Sequence, residues 1–309
     1  MTAINNNSTI GITSCYGKRQ ILETVKSIRS SEDGQLFRII IIADSVPVPS
    51  DVKKQLKNFS VELIENPYKS SAFAKQKQII ERCQDEILIL TQDDVLFPPR
   101  TLTEVIKTFT RNPEVTFVGV KNEPLKPENL FESGVNTGTN LLNRIAGYWN
   151  KGNNYLACLG RLMAFRTAWL KELEVESESV SLDAYLYFEN KKSGGEYKCL
   201  WQAPLYFRNP QNIQEHIRKS SRFQHSRLEM ASYHRFDKLE KEYAVPTRAV
   251  IRAGIEELVK NPVGLLAYIW IFSFTRLFAI RPELCLFANW QVDLSTKKIS
   301  FKPISLPEK

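Results

Sequence analysis

The chain has 309 residues and is 43% hydrophobic, which is enough for one large domain or for a domain with an appendage. Five scattered cysteines without a CxxC pair, after a polar N-terminus that lacks signal-peptide features, indicate reduced cytoplasmic thiols and argue against a thiol metal site. Nearly all of the net charge of +8 comes from the last third. Lys and Arg outnumber Asp and Glu by 17 to 10 over residues 208–309, but only by 25 to 24 before them. Such a basic region suits nucleic acid, diphosphates or an anionic membrane surface.

Short apolar runs alternate with helical patterns over the first 120 residues. The runs predict strands at 9–14, 37–42, 61–64, 86–90 and 115–120. Helices are predicted around residues 21–28, at 70–82 with a Ser cap, and from a capping box at 101–104. This alternation indicates an α/β fold with a largely parallel sheet. Asp44 and Asp93 fall at carboxyl ends of strands, where such sheets bind ligands.

The pattern is weaker after residue 120. Residues 123–155 are rich in Asn, Gly and Pro, and we expect them to be irregular. A strand at 157–165, a helix capped by Ser181, a strand at 197–201 and a long basic helix at 211–243 follow.

The last part of the chain is apolar from residue 262 to 280 apart from Arg276 and a few small polar residues. Its length would allow it to span a bilayer, but Pro262 and Gly264 open it and Pro282 ends it. We favour a helix lying in the plane of a membrane over a buried core helix, and a buried helix over a true span. Residues 1–250 are therefore expected to form the main domain and residues 251–309 a helical, membrane-associating extension. Because lipid suits the apolar segment better than nucleic acid does, we expect no nucleic-acid partner.

Asp93 and Asp94 are adjacent carboxylates at the end of a buried strand, where ionised groups are costly unless they are solvated or paired. A hard divalent cation such as Mg²⁺ or Mn²⁺ is a natural partner, because it shares carboxylate and phosphate oxygens. The alternative is an exposed Asx turn before the next helix.

Residues 9–223 resemble the family 2 glycosyltransferases with the GT-A fold. Residues 10–17 match the family's first strand and loop, 39–45 its second strand with a terminal Asp, and 66–76 its Asn-x-Gly…Ala-Arg-Asn segment. Residues 88–94 take the place of the DxD motif, with Thr91 at its first position. The resemblance implies that Asp93, next to Asp94, is a ligand of Mn²⁺ or Mg²⁺. It also implies that a nucleotide-sugar donor contacts Thr13, Cys15, Asp44, Lys75 and Gln92.

The family places its catalytic base in a Glu-Asp motif at the start of a helix. Leu182 replaces the Glu here and Asp183 keeps the Asp, so the resemblance implies that Asp183 is the general base of an inverting transfer. The alternative for Asp183 is a helix-capping residue.

A basic stretch at residues 216–223 is similar to the family's Gln-x-x-Arg-Trp motif, which implies diphosphate binding by Arg218, Lys219 and Arg222. An ordinary basic helix face is the alternative. His216, His225 and His234 are nine residues apart, so they cannot form one metal site on a helix, although His216 alone is a candidate metal contact.

Together with the membrane-associating extension, the family resemblance implies an inverting, metal-assisted transfer from a nucleotide sugar, with UDP as the favoured nucleotide, to a glycan or lipid-linked acceptor. The protein is expected to lie peripherally at the cytoplasmic face of the cell membrane. An inactive scaffold of the same fold and, less favoured, a sugar-phosphate nucleotidylyltransferase are the alternatives. The sequence gives no oligomeric state.

Overall fold

The computed structural model describes residues 8–15, 19–173, 180–233, 236–285 and 293–301. Residues 16 and 17, at the end of the segment that matches the family's first strand and loop, and His234 lie outside the described residues. The four cysteines whose side chains are described, Cys15, Cys83, Cys158 and Cys199, are free thiols.

The described strands form one eight-stranded sheet in the order β3-β2-β1-β4-β7-β6-β8-β5. The first four strands in this order are mutually parallel, whereas β7 is antiparallel to both of its neighbours and β5 is antiparallel to β8. The predicted α/β fold with a mostly parallel sheet is therefore confirmed. The strands are β1 (Ser8–Ser14), β2 (Arg38–Ala43), β3 (Val61–Glu65), β4 (Ile87–Gln92), β5 (Val95–Leu96), β6 (Val115–Pro124), β7 (Leu162–Arg166) and β8 (Glu196–Phe207).

Helices cover both faces of the sheet. Strand β2 shows why: Ile39 and Ile41 enter one apolar core with helices α1, α2 and α4, whereas Ile40 and Ile42 enter a second core with α3 and α7. A strand buried on both faces reads as a continuous apolar run, as this one does. The helices are α1 (Gln20–Arg29), α2 (Ser50–Asn58), α3 (Ala72–Arg82), α4 (Thr101–Arg111), α5 (Leu130–Tyr148), α6 (Thr167–Glu172), α7 (Leu182–Lys192), α8 (Ile213–Tyr233), α9 (Phe236–Tyr243), α10 (Thr247–Lys260), α11 (Pro262–Leu277) and α12 (Pro282–Cys285).

Two local predictions are wrong. The segment expected to be irregular contains the 19-residue helix α5, whose first turn is capped by the Asn129 side chain accepting from the Glu132 amide at 2.8 Å. The capping box predicted at 101–104 does not form, because the Thr101 hydroxyl donates instead to the Pro204 carbonyl of β8, at 2.6 Å.

Helices α10 and α11 pack against α5. The interpretation of α11 as a buried core helix is wrong, because most of its apolar side chains are exposed and its buried positions are confined to one narrow stripe. Within the described parts of the chain, no helix has the length and apolar content needed to cross a membrane.

Candidate functional site

The carboxyl ends of β1, β2 and β4 lie side by side at one edge of the sheet. Thr13 on β1 is in register with Ile42 on β2 and with Gln92 on β4, so the residues that follow these strands meet there. Ser14 donates its hydroxyl proton to Asp93, with an oxygen–oxygen distance of 2.5 Å. The structure thus gathers the predicted residues Thr13, Cys15, Asp44, Gln92 and Asp93 at this edge.

A buried ion pair joins two of the predicted nucleotide-binding residues. The Lys75 ammonium lies 2.7 Å from Asp44 Oδ2, and both side chains are almost completely inaccessible to solvent. Ser70 donates to the same carboxylate oxygen from its amide and its hydroxyl, and Lys75 also donates to Cys15 Sγ at 3.1 Å. Burial alone would raise the pKa of Asp44, but these donors outweigh it and lower that pKa. In this structure, Asp44 and Lys75 therefore hold the ends of β1, β2 and α3 together.

Asp93 and Asp94 bind a cation that belongs to the chain itself. The Lys297 ammonium lies 2.5 Å from Asp93 Oδ1 and 3.0 Å from Asp94 Oδ2. Lys297 belongs to residues 293–301, called the C-terminal segment below, which crosses this edge of the sheet. Burial opposes the charge on Lys297, but the two carboxylates more than compensate and raise its pKa. Asp93 and Asp94 therefore supply the carboxylate oxygens that a hard cation requires as ligands.

His216 is not part of this cation site. Among the residues that the structure describes, no group of three or more His, Cys, Asp and Glu side chains is arranged to hold a metal ion, so His216 does not join Asp93 and Asp94. It instead makes an edge contact with Phe131, and burial lowers its pKa to about 4. His216 lies in the first turn of α8, where its ring meets that of Phe131.

The three predicted diphosphate residues surround one carboxylate, that of Asp293 in the C-terminal segment. Arg218 donates to it at 2.9 Å, and Arg222 lies 4.0 Å from its second oxygen. Lys219 interacts with it electrostatically while donating to Asn209 at 3.0 Å. Burial, followed by the charge of Arg161, lowers the pKa of Lys219. The structure thus brings together the three cations that the sequence had selected.

Arg161 is a cation that the sequence reasoning missed. Its guanidinium stacks 3.6 Å above the Phe207 ring and interacts electrostatically with both Asp94 and Asp183. Burial lowers its pKa to about 10, although the two carboxylates act in the opposite direction. Arg161 therefore connects the predicted metal ligands to the predicted base. Its position directly before β7, at a strand end facing the same edge, was the available signal.

Asp183 lies in the first turn of α7 with each carboxylate oxygen fixed by one backbone amide. Gly160 donates to Oδ2 and Ala184 to Oδ1, both at 2.9 Å. A carboxylate oxygen accepts more than one hydrogen bond, so each oxygen keeps capacity for a further donor. Burial raises the pKa of Asp183, and the nearby charge of Glu229 acts in the same direction. Such a carboxylate is suited to accepting a proton from a hydroxyl.

Two solved structures of other proteins are similar to this chain. The chain is similar to the solved structure of mannosyltransferase PcManGT from Pyrobaculum calidifontis in complex with GDP-Man and Mn²⁺, with a TM-score of 0.56 and 13% identity over 91% of this chain and 78% of that one. It is also similar to residues 1–349 of TarS from S. aureus, with a TM-score of 0.52 and 13% identity over 87% of this chain and 73% of that one. No curated protein matches the chain.

These similarities at low identity establish a shared fold, and the family follows from the sequence itself. The model of the glycosyl transferase family 2 matches residues 9–173, which is more than half of the chain. The matched region contains β1 to β4, the Asp44–Lys75 pair and the Asp93–Asp94 pair. The chain therefore belongs to glycosyl transferase family 2 and is a glycosyltransferase with the GT-A fold.

Proposed function

We propose that the protein is an inverting glycosyltransferase that moves a sugar from a nucleotide-sugar donor, with UDP as the favoured nucleotide, to a hydroxyl of a glycan or lipid-linked acceptor. The observation that carries this proposal is the position of Arg161 between the two carboxylate sites: its carbonyl accepts from the Thr91 hydroxyl of β4 at 2.6 Å, and the amide of the preceding Gly160 donates to Asp183 at 2.9 Å. Cation ligands, a cation and a base are the groups that such a displacement requires within reach of one another.

Asp183 acts as the general base in this proposal. The acceptor oxygen attacks the anomeric carbon, the bond from that carbon to the donor phosphate oxygen breaks, and the acceptor proton passes to Asp183. The amides of Gly160 and Ala184 hold the carboxylate in place for this step. A raised pKa improves the driving force for proton acceptance.

The leaving group is a nucleotide diphosphate, which needs positive charge rather than a proton. Arg161, Arg218, Lys219 and Arg222 supply that charge from the protein, and guanidinium groups match phosphate oxygens well. Asp93 and Asp94 would hold Mn²⁺ or Mg²⁺, which supplies further positive charge to the diphosphate when bound. The complex of PcManGT with GDP-Man and Mn²⁺ supports this cofactor class.

The proposed place of action is the cytoplasmic face of a membrane, reached through α10 and α11. Exposed apolar side chains on these two helices adjoin exposed Arg248 and Arg252. Of the two acidic residues of α10, Glu257 pairs with Arg144 of α5, and Glu256 pairs with both Arg144 and Arg252. An apolar surface bordered by cations fits the interface of an anionic bilayer. The exposed apolar residues are Val250, Ile251, Ile255, Leu258, Val259, Val263, Leu266, Ile269, Trp270, Phe272 and Leu277.

An inactive scaffold is the second candidate, because Lys297 already occupies the carboxylate pair. One experiment separates the two functions. Purified protein is incubated with a panel of UDP- and GDP-linked sugars and with Mn²⁺ or Mg²⁺, and the release of free nucleotide is measured. An active transferase slowly hydrolyses its own donor, so release from one donor above the level of an Asp183→Asn control is expected. Absence of release, together with absence of metal-dependent nucleotide binding by calorimetry, would leave the scaffold as the better account.

A further inference from the structure

The C-terminal segment is anchored on both sides of the candidate donor site. The Phe301 amide donates to the Glu23 carboxylate of α1 at 2.7 Å, and Arg208 donates to the Lys298 carbonyl at 2.7 Å. Before these two anchors along the chain, the segment presents two charged side chains to the site, Asp293 and Lys297. Each of them contacts residues that the proposed function assigns to the donor.

Lys297 occupies the place of a cation. Its ammonium bridges one oxygen of Asp93 and one of Asp94, at 2.5 and 3.0 Å. An Mg²⁺ ion on the same carboxylates would lie about 2.0–2.1 Å from their oxygens. Two positive centres cannot share that space, so a divalent ion binds this pair only after the ammonium has left.

Asp293 occupies the place of an anion. Its carboxylate bonds to Arg218, lies within 4.0 Å of Arg222 and interacts with Lys219. A diphosphate that approached these three cations would meet the negative charge of Asp293, which repels it. The diphosphate therefore binds fully only after Asp293 has left.

The two contacts together resemble those of a metal–diphosphate complex. The negative Asp293 lies against the arginines, and the positive Lys297 lies against the carboxylate pair. We propose that the C-terminal segment is an autoinhibitory strap that closes the donor site, and that a nucleotide diphosphate with its metal ion binds by displacing residues 293–301. This inference rests on the proposed function, because it assumes that the site takes such a ligand. The apparent affinity is then the intrinsic affinity multiplied by the fraction of molecules whose segment is released.

Calorimetry on the full chain tests the strap. UDP and GDP are titrated, each with Mn²⁺, into the wild type, Lys297→Met and Asp293→Asn. Each substitution removes one of the competing charges, so both variants should bind the preferred nucleotide about tenfold more tightly or better. Lys298→Met is the matched control, because this neighbouring lysine is exposed and its ammonium contacts Gln211 rather than the carboxylate pair. Lys298→Met should bind as the wild type does.

Hydrogen exchange on the unmodified protein provides a second readout that does not depend on how the variants fold. Amides of residues 294–299 should exchange faster when the preferred nucleotide and Mn²⁺ are added, because their anchoring contacts are released. Unchanged or slower exchange at these amides with the ligand bound would overturn the strap.

The possible results separate this inference from the proposed function. Binding that is tighter in both variants supports the strap, even if the wild type shows no binding. Measurable wild-type binding that is unchanged or weaker in the variants overturns the strap and leaves the transferase function standing, with Lys297 and Asp293 as part of the site wall. Absence of binding in the wild type and all variants contradicts both.

Discussion

At the scale of single residues, the surroundings of two carboxylates shift their pKa values in opposite directions. Burial alone would raise the pKa of both Asp44 and Asp183. Asp44 faces the Lys75 ammonium and two donors from Ser70, which outweigh burial, whereas the backbone amides that donate to Asp183 do not offset its burial and its pKa stays raised. Asp44 is thereby fixed as an anion with a structural partner, and Asp183 is the better proton acceptor.

The raised pKa of Asp183 predicts the acid limb of the pH–rate profile. The base must be ionised, so activity is lost as the pH falls through its pKa, and the midpoint of kcat/KM should lie above the ordinary Asp value of 3.8. Glu229→Gln removes a neighbouring negative charge and keeps one of the two acceptor oxygens that serve the Val180 and Ser181 amides, so it should move the limb to lower pH. A limb that stays in place in Glu229→Gln would contradict the assignment of this limb to Asp183.

The Asp44–Lys75 pair predicts a large effect on stability. Lys75→Met leaves Asp44 buried without its cation, which should lower the free energy of unfolding by about 3–5 kcal/mol. Lys77→Met on the exposed side of the same helix is the control and should change the stability by less than about 0.5 kcal/mol. Urea unfolding measures both.

The same pair has a defined pH dependence. The pKa of Asp44 is lower in the folded state than in the unfolded state. Its contribution to the free energy of unfolding is therefore complete above the unfolded-state pKa near 3.8 and disappears as the pH falls through the folded-state pKa. The difference between wild type and Lys75→Met should therefore shrink in acid. A difference that is constant across this range would show that Lys75 stabilises the fold by packing alone.

At the scale of secondary structure, α5 connects the proposed membrane surface to the site. It packs against α10 and α11 on one side, and on the other its Asn136 and Thr139 accept from Asn209, which in turn accepts from Lys219. The close approach of α11 to α5 depends on a glycine. A Cβ at Gly138 of α5 would lie 2.0 Å from the Tyr268 ring of α11.

Gly138→Ala is therefore expected to destabilise the protein by about 1–3 kcal/mol, because the Tyr268 ring must move within a packed contact. Gly147→Ala in the same helix is the matched control, since its added methyl group would meet atoms no nearer than 3.8 Å. That control should be neutral, or more stable by up to about 1 kcal/mol. Equal stability of the two variants in thermal unfolding would contradict the close packing of α11 on α5.

Most strands and helices could be predicted from sequence because each has a local cause, such as the apolar run of β2 or the Ser71 cap of α3. Helix α5 could not, because its glycines and asparagines weaken any local helical signal. Its stability comes from contacts with α10 and α11, which follow more than a hundred residues later. The same reason explains the missed residues of the site. Asp293 and Lys297 are brought to the site only when the chain folds, and no local sequence pattern marks them.

At the scale of the whole molecule, helix α5 connects the donor site to the apolar surface of α10 and α11. The surface is broad and bordered by cations, so attachment should depend on both apolar burial and anionic lipid.

Trp270→Glu combined with Val259→Glu should weaken binding to vesicles that contain anionic lipid by about tenfold or more, because both side chains lie exposed on the proposed contact surface. Leu36→Glu, at an exposed apolar position in a 3-10 turn that follows α1, should bind as the wild type does. Vesicle sedimentation measures the partition. Equal partition of the double variant and the Leu36→Glu control would show that α10 and α11 do not attach the protein to lipid.

The central claim is that Asp183 removes a proton from the acceptor while other residues bind the donor. Asp183→Asn keeps the size of the side chain and an acceptor oxygen for the backbone amide of Gly160. The carboxamide of the introduced asparagine cannot act as the base. Nucleotide release and nucleotide binding are measured together, on this variant and on the wild type, with the donor that the wild type uses. The Asp183→Asn variant should bind the nucleotide with the affinity of the wild type, and its turnover should be lower by about 10²–10⁴-fold. Retained turnover in Asp183→Asn would contradict the central claim.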